Sequence, residues 1–147
     1  MPSLDITFLG TGTSHGIPVI GCECAVCRSQ DPRDHRTRTA LLVNSPECHF
    51  VIDTPPEFRL QCLREGVRRL DAALFTHAHT DHVMGFDDMR RFCEMGDRSM
   101  PVFATPATMA SLRTTFRYAF EDPQPWKNYL RLAPEEIRGA FQLGETR

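Results

Sequence analysis

The sequence predicts a layered α/β fold in which strands come first and then alternate with helices. Short apolar runs bounded by turn-forming residues mark the strands. Between the later runs, apolar side chains recur at helical spacing, and proline or glycine marks the segment ends. A chain of 147 residues is long enough for one ordinary domain with its own core. This order of elements fits an architecture in which helices pack on a sheet.

The composition is that of a globular domain, since 41% of the residues are apolar and 24% are charged. The formal net charge of −2 gives no overall field that would attract nucleic acid or an anionic membrane. No apolar run approaches the roughly 20 residues of a membrane helix, and the first residues lack the pattern of a signal peptide. We therefore expect a cytoplasmic protein with no membrane partner. We do not expect nucleic acid to be its ligand.

The first strand and an irregular region open the chain. Leu4, Ile6 and Phe8 alternate with polar residues, which predicts a strand with one buried face. Glycine-rich residues 10–16 then form a loop, and an irregular stretch rich first in cysteine and then in arginine covers roughly residues 18–38.

A hairpin and a first helix follow. Residues 40–43 and 50–52 predict two strands joined by a turn at residues 44–46. Pro55 and Pro56 suit the first turn of a helix that Gly66 ends. The inner face of this helix is predicted to carry Phe58, Cys62 and Leu63.

Two further strands alternate with two further helices. Residues 72–75 predict a buried strand, and a helix is expected to begin after His82 and to end at Gly96. Residues 101–104 predict another strand, and Thr105 is expected to cap the helix that follows. The apolar stripes predicted for the two helices are Phe86, Met89 and Cys93, and then Met109, Leu112, Phe116 and Phe120.

Three imidazoles and one carboxylate lie within residues 77–82, HAHTDH, directly after the strand at residues 72–75. Neutral imidazole and carboxylate are ligands for zinc, manganese or iron. In an extended loop His77 and His79 point the same way, whereas Asp81 and His82 lie beyond a bend and can face a second ion. The other interpretation, polar loop residues without a ligand role, does not account for four candidate ligands in so short a segment. The cluster therefore predicts a centre with two divalent metal ions, zinc or manganese.

A second cluster places three thiols in residues 22–27, CECAVC. Cys22, Cys24 and Cys27 can bind one structural zinc ion, which needs four ligands. A disulfide is disfavoured in a reducing compartment, and three free surface thiols are the alternative to a metal site. The candidates for the fourth ligand are His35, His49, Cys48, Cys62 and a residue outside this chain.

The HAHTDH segment resembles the signature motif of metallo-β-lactamase-fold hydrolases. This resemblance implies an αββα sandwich in which His77 and His79 bind one ion while Asp81 and His82 bind the other. It also implies a catalytic role for Asp81, which orients the attacking water or accepts its proton. Asp53 ends the strand at residues 50–52 and matches the family's aspartate there. It is expected either to support a ligating histidine or to cap the following helix.

The cysteine cluster narrows the resemblance to one branch of that family. Residues 10–27, then DPR at 31–33, LDA at 70–72 and GFDDMR at 85–90, are similar to phosphoribosyl 1,2-cyclic phosphate phosphodiesterases. In that branch the three cysteines hold a structural zinc, with a distant histidine as the fourth ligand. The resemblance implies a metal-dependent phosphodiesterase whose substrate is a small cyclic phosphate diester.

No histidine follows His82 in the sequence, whereas the family's site takes a third histidine for each ion and a bridging aspartate from the second half of its fold. The resemblance therefore implies that residues 1–147 are the N-terminal part of one metallo-β-lactamase domain, apparently truncated to its first half. Residues 141–147 resemble the opening of the strand that leads to the next ligand. Half a sandwich leaves one sheet face uncovered, so a homodimer or a completing chain is expected.

Three other functions remain open. A non-catalytic metal-binding remnant, or a half-domain that needs a partner, would explain the missing ligands. A transfer-RNA 3′-processing nuclease uses the same histidine motif, although the cysteine cluster and the lack of a large basic patch argue against it. A protein like pyrroloquinoline quinone biosynthesis protein B also carries clustered cysteines.

Overall fold

The computed structural model describes residues 4–121 and 129–143, which form one six-stranded mixed sheet with helices on one face. The strands lie in chain order across the sheet. The first three are antiparallel neighbours, and the last three continue from the third in parallel register. The strands are β1 (Asp5–Gly10), β2 (Ala40–Asn44), β3 (His49–Ile52), β4 (Ala72–Phe75), β5 (Met100–Ala104) and β6 (Leu132–Glu136).

The helices supply the crossovers that parallel strands require. Their buried apolar residues all join a single core against one face of the sheet. Within the described ranges, no helix has the length and apolar character needed to cross a bilayer. The α-helices are α1 (Phe58–Arg64), α2 (Thr80–Val83), α3 (Arg90–Gly96), α4 (Pro106–Thr115) and α5 (Arg117–Phe120), and Pro32–Asp34 and Phe86–Met89 form 3-10 helices.

The predicted alternation of elements is confirmed, and so are most of its local signals. The side chain of Thr105 accepts a hydrogen bond from the backbone N–H of Thr108 at 3.3 Å and caps α4. Gly66 has a φ of +62°, which suits the end of α1. Among the predicted stripe residues, Phe86, Met109 and Leu112 are fully buried.

The inner face predicted for α1 is correct at Phe58 and Cys62, which are buried, but wrong at Leu63, whose side chain is 63% exposed. Positions four apart share one face of a helix, whereas the next residue is rotated by about 100° towards solvent. The helix also begins at Phe58 rather than at Pro55 or Pro56.

The buried face predicted for β1 is wrong. Leu4, Ile6 and Phe8 are 48%, 54% and 64% exposed, and it is Leu9 that joins the helix-side core. The register explains this, because Ile6 pairs with Val43 and Phe8 with Leu41 on the side of the sheet away from the helices. We call this side the open face.

The open face carries a second, smaller apolar cluster built from strand residues. Phe50 and Val43 are buried there, and Ile52, Leu74 and Phe103 are partly buried beside them. Phe141 stacks on Phe103 with 5.1 Å between ring centroids and covers one end. The sheet therefore has one face covered by helices and one that is covered only in part.

Strand β6 is missing from the sequence prediction. Its segment, LAPEE, carries a proline and two acids in place of an apolar run, and only its pairing with β5, Met100 opposite Leu132, makes it a strand. Proline is tolerated there because β6 is an edge strand of the described sheet. Of the strand opening suggested at residues 141–147, only Leu143 makes an isolated bridge, and residues 144–147 lie outside the described part.

Candidate metal centre

The HAHTDH segment lies at the carboxyl end of β4, in the middle of the sheet. Strand β4 is buried between its parallel neighbours β3 and β5, and α2 begins at Thr80 with His79 as its extended N-cap residue. Asp81 and His82 are therefore in the first helical turn, which begins earlier than the sequence predicts. Crevices at the carboxyl ends of parallel strands are where α/β sheets hold their ligands.

His77 is in contact with the other two imidazoles of this segment. The ring centroids of His77 and His79 are 4.6 Å apart, and those of His77 and His82 are 4.1 Å apart. The Nε2 atom of His82 lies 3.4 Å from a carboxylate oxygen of Asp81. The turn from extended chain to helix at His79 is what folds the four side chains together.

Asp53 joins the end of β3 to this cluster. Its buried carboxylate accepts hydrogen bonds from the backbone N–H of Thr76 at 2.9 Å and from the Thr76 hydroxyl at 2.7 Å. The same carboxylate is 2.7 Å from Nδ1 of His82. The alternative expectation, that Asp53 caps the following helix, is wrong, because Glu57 occupies the N-cap position of α1.

These contacts decide which imidazole atoms remain for a metal ion. Nδ1 of His82 is engaged by Asp53, and Nδ1 of His77 lies 3.0 Å from the Thr76 hydroxyl. Asp53 and Thr76 therefore engage Nδ1 and leave Nε2 of both histidines for a metal ion. This arrangement is typical of metal-ligating histidine. Imidazole nitrogens beside a half-buried carboxylate fit zinc or manganese. The ligand roles of His77, His79, Asp81 and His82 stay predictions.

Gly85 allows the turn at residues 77–82, which we call the histidine turn, to pack against the residues that follow β3. Its backbone N–H donates to the carbonyl of Thr54 at 2.8 Å, and the Thr54 N–H donates to the carbonyl of His82 at 2.8 Å. A Cβ atom at Gly85 would overlap the carbonyl oxygen of Pro55 and lie 2.6 Å from Cβ of Phe58. Glycine is therefore required here by close approach.

Glu57 is a residue of this region that sequence reasoning missed, and it meets Arg38 of the arginine-rich stretch. The guanidinium of Arg38 donates to the carbonyl of Ser14 at 2.7 Å and forms an ion pair with Glu57. Arg36 donates to the Thr11 hydroxyl at 2.9 Å. These arginines hold the glycine-rich loop, a role that depends on partners far away in sequence.

The second cluster brings the thiols of Cys22, Cys24 and Cys27 together, with their sulfur atoms within 4.8 Å of one another. The backbone N–H of Cys27 donates to Sγ of Cys24 at 3.4 Å. This bond, followed by contacts with the other two thiols, lowers the pKa of Cys24 to about 7. A thiol that ionises near neutral pH is suited to zinc.

No fourth ligand joins the thiols among residues 4–121 and 129–143. Of the candidates, Cys48 and Cys62 are buried away from solvent, and burial raises the pKa of Cys62 to about 12. Nε2 of His35 lies 3.1 Å from the carbonyl of Ser29. Within the same ranges the histidine turn forms no comparably closed group of three ligand atoms. A metal ion held by these neighbouring side chains would need further ligands.

Comparison with known proteins places this arrangement in a family. Residues 49–147 match the family model described as "Beta-lactamase superfamily domain". A crystal structure of a new diphosphatase from the PhnP family superposes with a TM-score of 0.84 at 38% identity, over 98% of this chain and 54% of that chain.

Two curated relatives are much longer than the matched region. An octanoyltransferase of Porphyromonas gingivalis is 42% identical over 139 residues, which is 93% of this chain but 28% of that protein. A coenzyme PQQ synthesis protein B of Rhodopseudomonas palustris is 31% identical over 100 residues, 59% of this chain and 32% of that protein.

The chain thus spans about a third of these relatives and about half of the similar structure. The matched model covers well over half of the chain, and the turn after β4 lies within the matched residues. The family predicted from the motifs is confirmed, and the chain belongs to the beta-lactamase superfamily domain family.

Proposed function

We propose that this chain carries the first set of metal ligands of a hydrolase that cleaves a phosphate diester, with a small cyclic diester as the leading substrate. The observation that supports the proposal most directly is the packing of three imidazoles and Asp81 at the end of β4, with His82 oriented by Asp53. Similarity to a diphosphatase of the PhnP family also favours phosphoryl chemistry.

His77 and His79 would hold one divalent ion, and Asp81 and His82 the other. Zinc or manganese ions bound there would supply Lewis acidity towards a phosphoryl oxygen and a nucleophile at neutral pH. The cysteine cluster would hold a structural zinc, which ties residues 22–27 into one rigid loop.

The chain's own residues have two tasks in this reaction. Asp53 fixes the ring of His82 through Nδ1, so that Nε2 points towards the ligand side. Asp81 accepts a proton from the attacking water while the oxygen of that water bonds to phosphorus. The ester P–O bond then breaks, the leaving oxygen takes up a proton, and a phosphate monoester remains.

The activity needs further ligands, and we propose that they come with a second sheet layer packed on the open face. A sheet face that exposes Ile6 and Phe8 suits such a layer. The layer belongs either to the same polypeptide or to a partner chain, a second copy included. A cytoplasmic location is part of this proposal, because Cys22 and Cys24 are exposed free thiols that a reducing compartment would preserve.

The test is hydrolysis of bis(p-nitrophenyl) phosphate by the 147-residue chain with added manganese, alone and with a completing chain. We expect Asp81→Ala to abolish turnover while the zinc at the cysteines stays bound. Unchanged turnover would refute the role of Asp81. No turnover in any sample, with zinc still stoichiometric, would instead identify a non-catalytic metal-binding domain.

Metal content tests the cysteine site separately. Replacing Cys22, Cys24 and Cys27 together by serine should lower the zinc content by one ion per chain, because the thiolate ligands are gone. Zinc content that does not change would show that the three thiols hold no metal. Arg28→Gln, at an exposed position directly after the cluster, is the matched control and should keep its zinc.

A second candidate follows from the relative named octanoyltransferase. We propose that this chain supports octanoyl transfer, in which the same ligand set would polarise the carbonyl oxygen of an octanoyl ester or thioester. Octanoyl and phosphodiester p-nitrophenyl substrates compared at equal concentration distinguish the two reactions. Cleavage of a transfer-RNA precursor would instead indicate a nuclease.

A further inference from the structure

A groove between α1 and α3 lies on the outer side of the helical layer, and residues 77–82 do not line it. It has a volume of about 670 Å³ and an apolar floor formed by Phe58, Cys62 and Phe92. Leu63 and Met95 also line it, and they are 63% and 47% exposed. Large apolar side chains left open at a concave surface are typical of a binding site.

Arginines surround this apolar floor. Arg59, Arg68, Arg90 and Arg91 line the groove with only two carboxylates, Asp88 and Glu94. A smaller hollow of about 330 Å³ shares Arg68 with the groove and adds Arg69, Asp71 and Arg98. The two hollows together carry more arginines than carboxylates, on a chain whose net charge is −2.

The arginines differ in how far their charge is neutralised. Arg91 pairs with Glu94 at 3.0 Å and Arg90 with Asp87 at 3.2 Å. Within the described residues, Arg59 and Arg68 form no direct ion pair, and both are exposed at the rim, although the charge of Arg59 acts on the carboxyl of Asp88. Two exposed guanidinium groups without a direct ion pair, beside an apolar floor, favour a ligand that is both anionic and apolar.

We propose that this groove docks an acidic amphipathic helix of a partner protein. The apolar side of such a helix would cover Leu63 and Met95, and its carboxylates would pair with Arg59 and Arg68. Helices bind grooves in this way, with apolar anchors at helical spacing. Nucleic acid fits less well, because the groove's aromatic rings are in the floor, with Phe58 fully buried, and cannot stack on bases.

The test is binding of a fluorescent synthetic helix of about 18 residues, long enough to be helical, with leucine on one face and glutamate on the other. We expect binding to the 147-residue chain, measured by fluorescence anisotropy, to weaken at high salt. Arg59→Glu with Arg68→Glu should weaken it about tenfold or more, since both charge contacts become repulsive. Leu63→Ser with Met95→Ser should weaken it as well, with little effect on folding because both side chains are exposed.

Arg117→Glu with Arg138→Glu is the matched control, because it changes the charge equally at exposed arginines outside the groove. The same peptide with glutamine in place of glutamate should bind weakly. The proposal is overturned if the groove variants bind the acidic peptide like the control, or if no peptide binds. It is also overturned if a single-stranded oligonucleotide displaces the peptide and binds more tightly.

Discussion

At the scale of single residues, Asp53 connects the fold to the candidate metal centre. It follows β3, adopts a left-handed backbone with a φ of 65°, and accepts three hydrogen bonds, two from Thr76 and one from His82. Aspartate and asparagine enter this backbone region more readily than other residues that carry a Cβ. One side chain therefore joins two parallel strands and orients a predicted ligand.

Asp53→Ala should destabilise the protein by about 2–4 kcal/mol, because it leaves buried donors unpaired and puts alanine in a left-handed backbone. Urea unfolding measures this loss. Asp53→Asn is the matched control and should lose less, since asparagine tolerates the backbone and keeps one acceptor oxygen. An alanine variant as stable as the asparagine variant would contradict the proposed hydrogen-bond role.

At the scale of elements, Asp71 connects the strands ahead of the site. It lies at the start of β4, accepts a hydrogen bond from the backbone N–H of His49 in β3 at 2.8 Å, and pairs with Arg69 and Arg98. Burial alone would raise the pKa of Asp71. The hydrogen bonds from the two arginines and from His49 outweigh it, and the pKa lies below its usual range.

This lowered pKa predicts how stability depends on pH. A carboxyl whose pKa is lower in the folded state stabilises the protein above its unfolded pKa of about 3.9, and this contribution is lost as the pH falls through the folded value. Asp71→Asn should therefore be less stable than the parent at neutral pH, and the difference should shrink below about pH 4. Urea unfolding across that range measures it.

Asp5→Asn, at an exposed position, is the control for the loss of one carboxylate and should show a smaller difference at neutral pH. A stability gap between the parent and the Asp71 variant that stays constant down to pH 3, within about 0.5 kcal/mol, would show that the carboxylate charge does not contribute.

At the scale of the whole molecule, the two sides of the sheet differ in how they are covered. Helices bury the side that holds Leu9, Val51 and Val102, each with no exposed area, whereas Ile6 and Phe8 are more than half exposed on the open face. Apolar surface of this kind is stabilised by a partner layer. We expect the 147-residue chain to associate through it.

Ile6→Thr with Phe8→Thr should reduce self-association, because threonine keeps the β-propensity of strand β1 and removes apolar area. Sedimentation velocity gives the mass of the species. Leu60→Gln, which removes an exposed leucine from α1 outside the groove, is the control and should leave association unchanged. Association that is lost in the control but kept in the double variant would locate the contact on the helices.

The sequence alone was sufficient for the features whose signals are local. The HAHTDH and CECAVC segments identify the family and the candidate ligands because their side chains are close in the chain itself. Caps such as Thr105 and stops such as Gly66 are also local, and the alternation of strands and helices could be predicted from them.

Only the tertiary structure decided which side of each element is buried and which distant residues meet. The exposed face of β1, strand β6 and the contact of Asp53 with His82 all depend on pairing between segments far apart in sequence. An alternating strand pattern shows that two faces differ, but the register with β2 determines which one meets the helices. Burial is a property of the neighbours that a side chain finds after folding, and a local pattern does not contain them.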